Sequence, residues 1–293
     1  MNKLITLLLF VSPSLALAQD DLMAELEKTQ KPRTQYFDQA FKGTRLVNGQ
    51  SVQTVGKGAL EFIFAHRFGA MNGGAYELFG LDQAYVRIGL EYGINDRLGV
   101  GIGRNSVDKT MDGFLRYKVL RQSKGTTNFP FTVTAFANAA IRTSPKKEDA
   151  TYPITTVDRM SYTGQLLIAR KFNAQLSLQL MPTIVHKNTV DRSITNNDTY
   201  ALGAGGRVKV SKSVALTAEY YYRFNTNPND PHYNAIGVGV DIETGGHVFQ
   251  IVLTNTRGLT ERAVVTETED NFFDGGIHLG FNVTRSFQLK KRK

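Results

Sequence analysis

QAYVRIGLEYGINDRLGVGIG, residues 83–103, alternates with a period of two on both sides of a polar turn. Ala84, Val86, Ile88, Leu90 and Tyr92 fall on one face, while Gln83, Tyr85, Arg87, Gly89 and Glu91 fall on the other. Successive side chains of a strand point to opposite sides, so this segment offers one face to lipid and one to water. Ile94-Asn95-Asp96-Arg97 forms a tight turn, after which Leu98, Val100 and Ile102 resume the apolar face against Gly99, Gly101 and Gly103. The unit is a β-hairpin with opposed apolar and polar faces.

The same template continues at residues 59–68, 111–121, 129–142, 159–171, 174–187, 199–210, 213–224, 233–243, 247–255 and 275–287. With the first hairpin this gives about twelve strands, each near the roughly 9–11 residues that a tilted membrane strand needs. Short links such as 171–173, 211–213 and 244–246 alternate with long polar ones at 143–157, 188–198 and 256–274, the middling link 122–128 being the exception. Short periplasmic turns and long extracellular loops produce this asymmetry in bacterial barrels, and an even strand count returns both termini to one side. The expected fold is therefore all-β: a single antiparallel up-and-down transmembrane β-barrel, with a soluble β-sandwich as the structural alternative. Tyr92, Tyr162, Tyr200, Tyr220 and Tyr222 lie in the outward phase near strand ends, where interface girdles sit, although the chain has no Trp. Residues 44–56 admit three readings: an extra strand, a lumenal plug or a turn packed under the barrel. Asn48-Gly49 favours a tight turn there, and an additional hairpin would raise the count to about fourteen.

Lys3, the apolar run 4–11 and Ala16-Leu17-Ala18 together read as a signal peptide spanning residues 1–18, with Gln19 as the mature N-terminus. The run is too short to span a bilayer, which takes roughly 20 apolar residues. Residues 19–58 are then an N-terminal periplasmic segment or plug, with a short helix or disordered arm at 20–28; 59–289 are the barrel and 290–293 a basic tail. With no cysteine among 293 residues, neither a disulfide nor a lipidated Cys is available. The net charge of +9 comes from 35 basic residues spread among 26 acidic ones, which argues against a nucleic-acid-binding face. A mean hydropathy of −0.25 is compatible with a membrane barrel, because its strands alternate lipid-facing and polar residues.

The inward phase collects Glu61, Arg67, Arg87, Glu91, Arg116, Lys118, Arg142, Arg207, Lys209, Glu219, Arg223, Asp241 and Glu243 as the candidate lumen lining. One reading is a polar pore whose cation-rich stretches favour anionic solutes. The other is a small barrel plugged by Arg–Glu pairs between neighbouring strands. Gly99-x-Gly101-x-Gly103 and Gly203-x-Gly205-Gly206 lack the following helix of a dinucleotide site, and are expected to be small inward positions. His66, His186, His232, His247 and His278 lie on different segments without metal-ligand spacing, so no metal is expected. His66 in the outward phase is the only candidate for an embedded lipid hydrolase, and no serine is placed to serve it: Ser161 and Ser177 face inward. The tail Lys290-Lys291-Arg292-Lys293 is expected to be a solvated terminus.

FKGTRLVNGQS from Phe41, HRFG from His66, LDQAYVRIGLEYGINDRLGVGIGR from Leu81 and DGFLRYKVLRQ from Asp112 carry a resemblance. On these stretches the chain resembles an uncharacterised family of outer-membrane β-barrel proteins of Bacteroidota, known as a domain of unknown function, from about Phe41 to Phe287. The resemblance implies location and architecture but carries over no substrate and no catalytic residue. Barrels of this kind usually end in an aromatic residue, whereas here Phe287 is followed by Gln288, Leu289 and the basic tail.

The functional expectation is a passive channel or small-solute transport barrel in the outer membrane. Its partners would be outer-membrane lipid, the barrel-assembly machinery during biogenesis and a small solute, with no nucleic acid and no cofactor. The alternative is a non-conducting structural or interaction barrel whose loops at 143–157 and 256–274 meet other surface components. An embedded hydrolase is the third class.

Overall fold

β-Branched and aromatic residues alternate with small or polar ones along most of the chain, and a computed structural model describing residues 33–37, 39–144 and 154–290 folds these stretches into strands. In chain order they are β1 (Gln35–Tyr36), β2 (Ala59–Ala70), β3 (Ala84–Gly93), β4 (Leu98–Asn105), β5 (Met111–Leu120), β6 (Ser123–Lys124) and β7 (Thr132–Ile141). There follow β8 (Met160–Lys171), β9 (Leu176–Lys187), β10 (Asp198–Lys209), β11 (Val214–Arg223), β12 (Ile236–Thr244), β13 (His247–Thr254), a short helix α1 (Glu261–Thr266) and β14 (His278–Gln288). All strands except β1 and β6 pair antiparallel with their sequence neighbours, and β14 returns to β2 with Phe281 opposite His66 and Gln288 opposite Ala59. The result is a closed twelve-stranded barrel. Closure removes the sheet edge and satisfies the backbone where no water can.

The twelve wall strands match those expected from the sequence, with ends displaced by a few residues. Turn chemistry sets the short connections. Asn95 Oδ1 accepts from the backbone N–H of both Arg97 and Leu98 at 2.8 Å, and Asn173 Oδ1 does the same for Gln175 and Leu176 at 2.8 and 2.7 Å. These turns lie at the end of the barrel that holds the start of β2 and the finish of β14, here termed the terminal end. The middling link between β5 and β7 has its own explanation: it carries β6, which pairs with β1 and fastens the incoming N-terminal segment to this rim.

The two faces differ as the alternation requires. Ile88, Leu90, Ile102, Leu115, Leu178, Leu180, Leu216 and Ile251 are exposed outside, with Tyr162, Tyr200, Tyr220 and Tyr222 on the same surface; Tyr92 is half-buried there. Inside, most charged and amide residues of the opposite phase are buried, while Lys118, Arg142, Lys171, Lys209 and Glu243 towards the strand ends are half-buried. One expectation changes, and one open reading closes. Gly206 faces outward beside Leu178, because only Gly203 and Gly205 share the inward phase of Arg207. Residues 44–56 add no strand to the wall; they are buried within it, so the count stays at twelve. The expected signal peptide at 1–18, the arm at 20–28 and residues 291–293 of the basic tail lie outside the described residues.

Candidate functional site

The lumen is filled from both ends. From the terminal end, residues 40–56 enter as a hairpin: Arg45 bridges Gln50, and Leu46 N–H donates to the Gly49 carbonyl at 2.9 Å. Neither Asn48 nor Gly49 takes a positive φ, so this is not the mirror-image turn that Asn-Gly usually makes. An external carboxylate supplies the missing constraint. Glu219 on β11 accepts from the backbone N–H of Val47 at 3.2 Å, Asn48 at 2.7 Å and Gly49 at 3.1 Å. A Cβ at residue 49 would stand 2.1 Å from the Tyr221 hydroxyl, so only glycine brings the backbone this close to the wall. Gly205 and Gly237 make the corresponding room on the wall, their missing Cβ atoms being replaced by Leu46 and Val47 of the hairpin.

Wall side chains take the place of a partner strand for the hairpin backbone. Carbonyls of Leu46, Val47, Gln50 and Val52 accept from Gln250, Asn282, Gln179 and Thr134 at 2.8, 2.9, 2.7 and 2.8 Å, and Val52 N–H donates to Gln179 Oε1 at 2.8 Å. Arg116 adds Gln53 O at 2.6 Å, Ser51 O at 3.3 Å and the Gln50 side chain. Buried backbone groups without such partners would each cost about 1–3 kcal/mol, so the polar lumen is what allows an irregular segment to sit inside. Apolar packing completes the seat: Phe41, Leu46 and Val52 meet Phe114, Phe136, Leu167, Met181, Val185 and Tyr221 of the wall in one buried cluster.

From the opposite end, the β13–β14 loop folds inward rather than outward. α1 begins after Thr260, whose side chain caps the Ala263 N–H, and all six of its residues are buried, Val264 and Val265 joining the apolar cluster. Its first residue, Glu261, pairs with Arg45 at 2.8 Å and accepts from Gln50. The two insertions therefore meet at Glu261. Beyond α1, Glu267 pairs with both Arg262 and Arg142. Burial alone would raise the Glu267 carboxyl, but Arg262, Arg142 and Lys187 outweigh it and hold the pKa at about 2.

The thirteen expected lining residues fall into three groups. At the waist, Glu61 accepts from Thr44 at 2.6 Å, Arg67 binds Asn48 Oδ1 and Asn282 Oδ1 at 2.9 Å each, and Arg87 makes a two-pronged pair with Asp112. Glu91 lies 2.9 Å from Arg116 Nε, close enough for charge attraction though not aligned as a hydrogen bond. Glu219 grips the hairpin here too. At the long-loop mouth, Arg223 pairs with Asp230 at 2.7 Å and Arg142 with Asp108 at 3.3 Å. This mouth keeps a vestibule of about 350 Å³. At the terminal end, Arg207 pairs with Glu243 and lies 3.7 Å from Asp241, whose carboxylate also accepts from Gln250 at 2.8 Å, while Lys118 and Lys209 face a larger vestibule of about 880 Å³.

Sequence reasoning missed Asp112, Gln179, Gln250 and Asn282 on the wall and Arg45, Glu261 and Glu267 on the insertions. One signal was present: Phe114, Phe136, Leu167, Met181 and Tyr221 occupy inward positions that an open aqueous lumen would leave polar. The loop at 256–274, expected to meet surface components, is instead largely buried from Gly258 to Thr268: Val264 and Val265 join the apolar cluster of the lumen, and Leu259 is buried as well. His66 stacks on Phe281 with centroids 5.2 Å apart, and its buried Nδ1 has no hydrogen-bond partner among the described residues. Among the described residues no three His, Cys, Asp or Glu side chains come together as a metal-binding group.

The family described as membrane bound beta barrel domain (DUF5777) matches residues 41–287, a span that includes the hairpin as well as the wall. Among curated proteins, no relative matches. Solved structures similar in fold include the NanC porin, at 10% identity over 78% of this chain and 98% of that one, with a TM-score of 0.48. The KdgM porin gives 11%, 78%, 99% and 0.47, and Salmonella typhi OmpF in complex with daunomycin 10%, 78%, 97% and 0.38.

Proposed function

From a chain that belongs to the DUF5777 family of membrane-bound β-barrel domains, we propose an outer-membrane small-solute barrel closed at rest by two inserted segments and opened when the hairpin at 40–56 leaves its seat. The terminal end is then periplasmic and the long loops extracellular, as follows from export through the signal at 1–18 and insertion by the assembly machinery. The carrying observation is that the closure and the wall are separate. The ladder that closes the ring, β14 on β2, uses no hairpin residue, whereas the hairpin is seated through wall side chains and backbone contacts that break singly. A charged vestibule waits on each side of the waist.

A permanently plugged surface barrel is the second reading, favoured by the buried pairs Arg87–Asp112 and Arg45–Glu261. The absence of native cysteine allows a direct test. The Cβ of residue 237 would lie 3.3 Å from the Val47 Cβ, near the roughly 3.5–4.5 Å of a disulfide. Planar-bilayer recordings of the refolded wild type are expected to show opening events, and V47C/G237C to be silent until reduced. A wild type that stays closed at every voltage, together with a closed Glu219→Ala variant, would establish the plugged barrel instead.

A further inference from the structure

We propose that the terminal-end vestibule is a binding site for a small solute carrying two or more negative charges. The inward residues at the ends of three wall strands, Lys118 on β5, Lys171 on β8 and Lys209 on β10, all line this cavity, and Arg121 joins them just past β5. None of the four has a carboxylate within ion-pair distance among the described residues. Arg121 instead lies over the Tyr36 ring at 4.3 Å.

The acids in the described lining are already engaged. Glu243 is taken by Arg207 and approached by Lys42 at 3.8 Å, and Asp96 Oδ1 accepts from the Lys57 backbone N–H at 3.3 Å. Among the described residues, six basic side chains, Lys42, Lys118, Arg121, Lys171, Arg207 and Lys209, thus share the lining with two spoken-for carboxylates, Asp96 and Glu243. Cross-strand register fixes part of the constellation: Lys171 stands opposite Ser177, and Ser177 opposite Arg207, in one row over three strands. Directly opposed residues are about 5 Å apart, so Ser177 is a hydroxyl set between two cations.

Exposed lysines on a convex surface are screened by water and salt. These converge on a concavity of about 880 Å³ with low-dielectric walls, which focuses their field on whatever occupies it. Several cations around one cavity favour a ligand whose own charges are clustered, such as a polycarboxylate or a pyrophosphate, over a monovalent anion. The purpose of such a site rests on the solute-barrel reading; its existence does not, because the cavity is open with the hairpin seated.

Isothermal titration of the detergent-folded, full-length protein with citrate and with pyrophosphate tests the site, the two probes separating carboxylate from phosphate chemistry. Saturable one-site binding of at least one is expected, with Kd raised about tenfold or more in Lys171→Gln/Lys209→Gln. It should be unchanged in Lys212→Gln, a lysine of the adjoining turn that does not line the cavity. Absence of saturable binding by both probes, or equal weakening by Lys212→Gln, would overturn the site. Binding with no conductance would leave the site standing and remove the solute-barrel reading, whereas conductance without binding would do the reverse.

Discussion

The waist of the lumen and its terminal vestibule are lined by the same kinds of residue on the same strand phase, yet their charges have opposite fates. Arg116 and Lys118 are two residues apart on β5, and Arg207 and Lys209 two apart on β10. Arg116 is fully buried, with Glu91 and three hairpin groups around its guanidinium. Lys118 is half-buried with no ion-pair partner among the described residues. What separates them is depth: the deeper part of the hairpin brings acceptors to the first, whereas near the second its two limbs only line the vestibule and offer no carboxylate. Charge in the inward phase is therefore structural where an inserted segment brings acceptors to it, and available for a ligand where none arrives.

The contrast can be broken most sharply at Glu219. Glu219→Ala removes the acceptor of three backbone N–H groups and should destabilise the seated hairpin by about 3 kcal/mol, while the boiled and unboiled forms still separate on a denaturing gel because the wall is untouched. Amide exchange at Val47, Asn48 and Gly49 reads this directly; undiminished protection there would show that the carboxylate does not hold the turn.

A smaller effect is expected at the long-loop mouth under acid. The Glu267 pKa is depressed in the folded state, so its contribution is complete above the ordinary carboxylate value of 4.5 and is lost as pH falls from there towards about 2. The loop at 256–268 should loosen in that window by on the order of 3 kcal/mol, and Glu267→Gln should flatten the pH dependence of its protease sensitivity. Loosening that begins near neutrality would point to another group.

The smallest effect belongs to the vestibule. Lys171→Gln and Lys209→Gln should change the unfolding midpoint of the barrel hardly at all, by an equivalent of no more than about 0.5 kcal/mol, since each removes a cation with no ion-pair partner among the described residues. A loss as large as that of Glu219→Ala would mean these lysines stabilise the wall, and the distinction between the two regions would fail.

By itself the sequence determined the wall: the twelve strands, their outward and inward phases, the Asn-led short turns and the positions of the inward charges. Each of these follows from a period of two and from turn residues acting within a few positions of one another, which is information a linear chain carries locally. Only the tertiary structure decided what the inward charges do. Asn48 and Glu219 are 171 residues apart, and Arg45 and Glu261 216 apart, so no spacing rule links them. Three readings of residues 44–56 stayed open for the same reason. A hairpin at Asn48-Gly49 is legible locally, but its place in the lumen depends on side chains of β7, β9, β11, β13 and β14 converging only once the ring has closed. The inward turn of the β13–β14 loop depended likewise on apolar partners supplied by the wall, which is why a loop that looked like a surface feature became the second closure of the barrel.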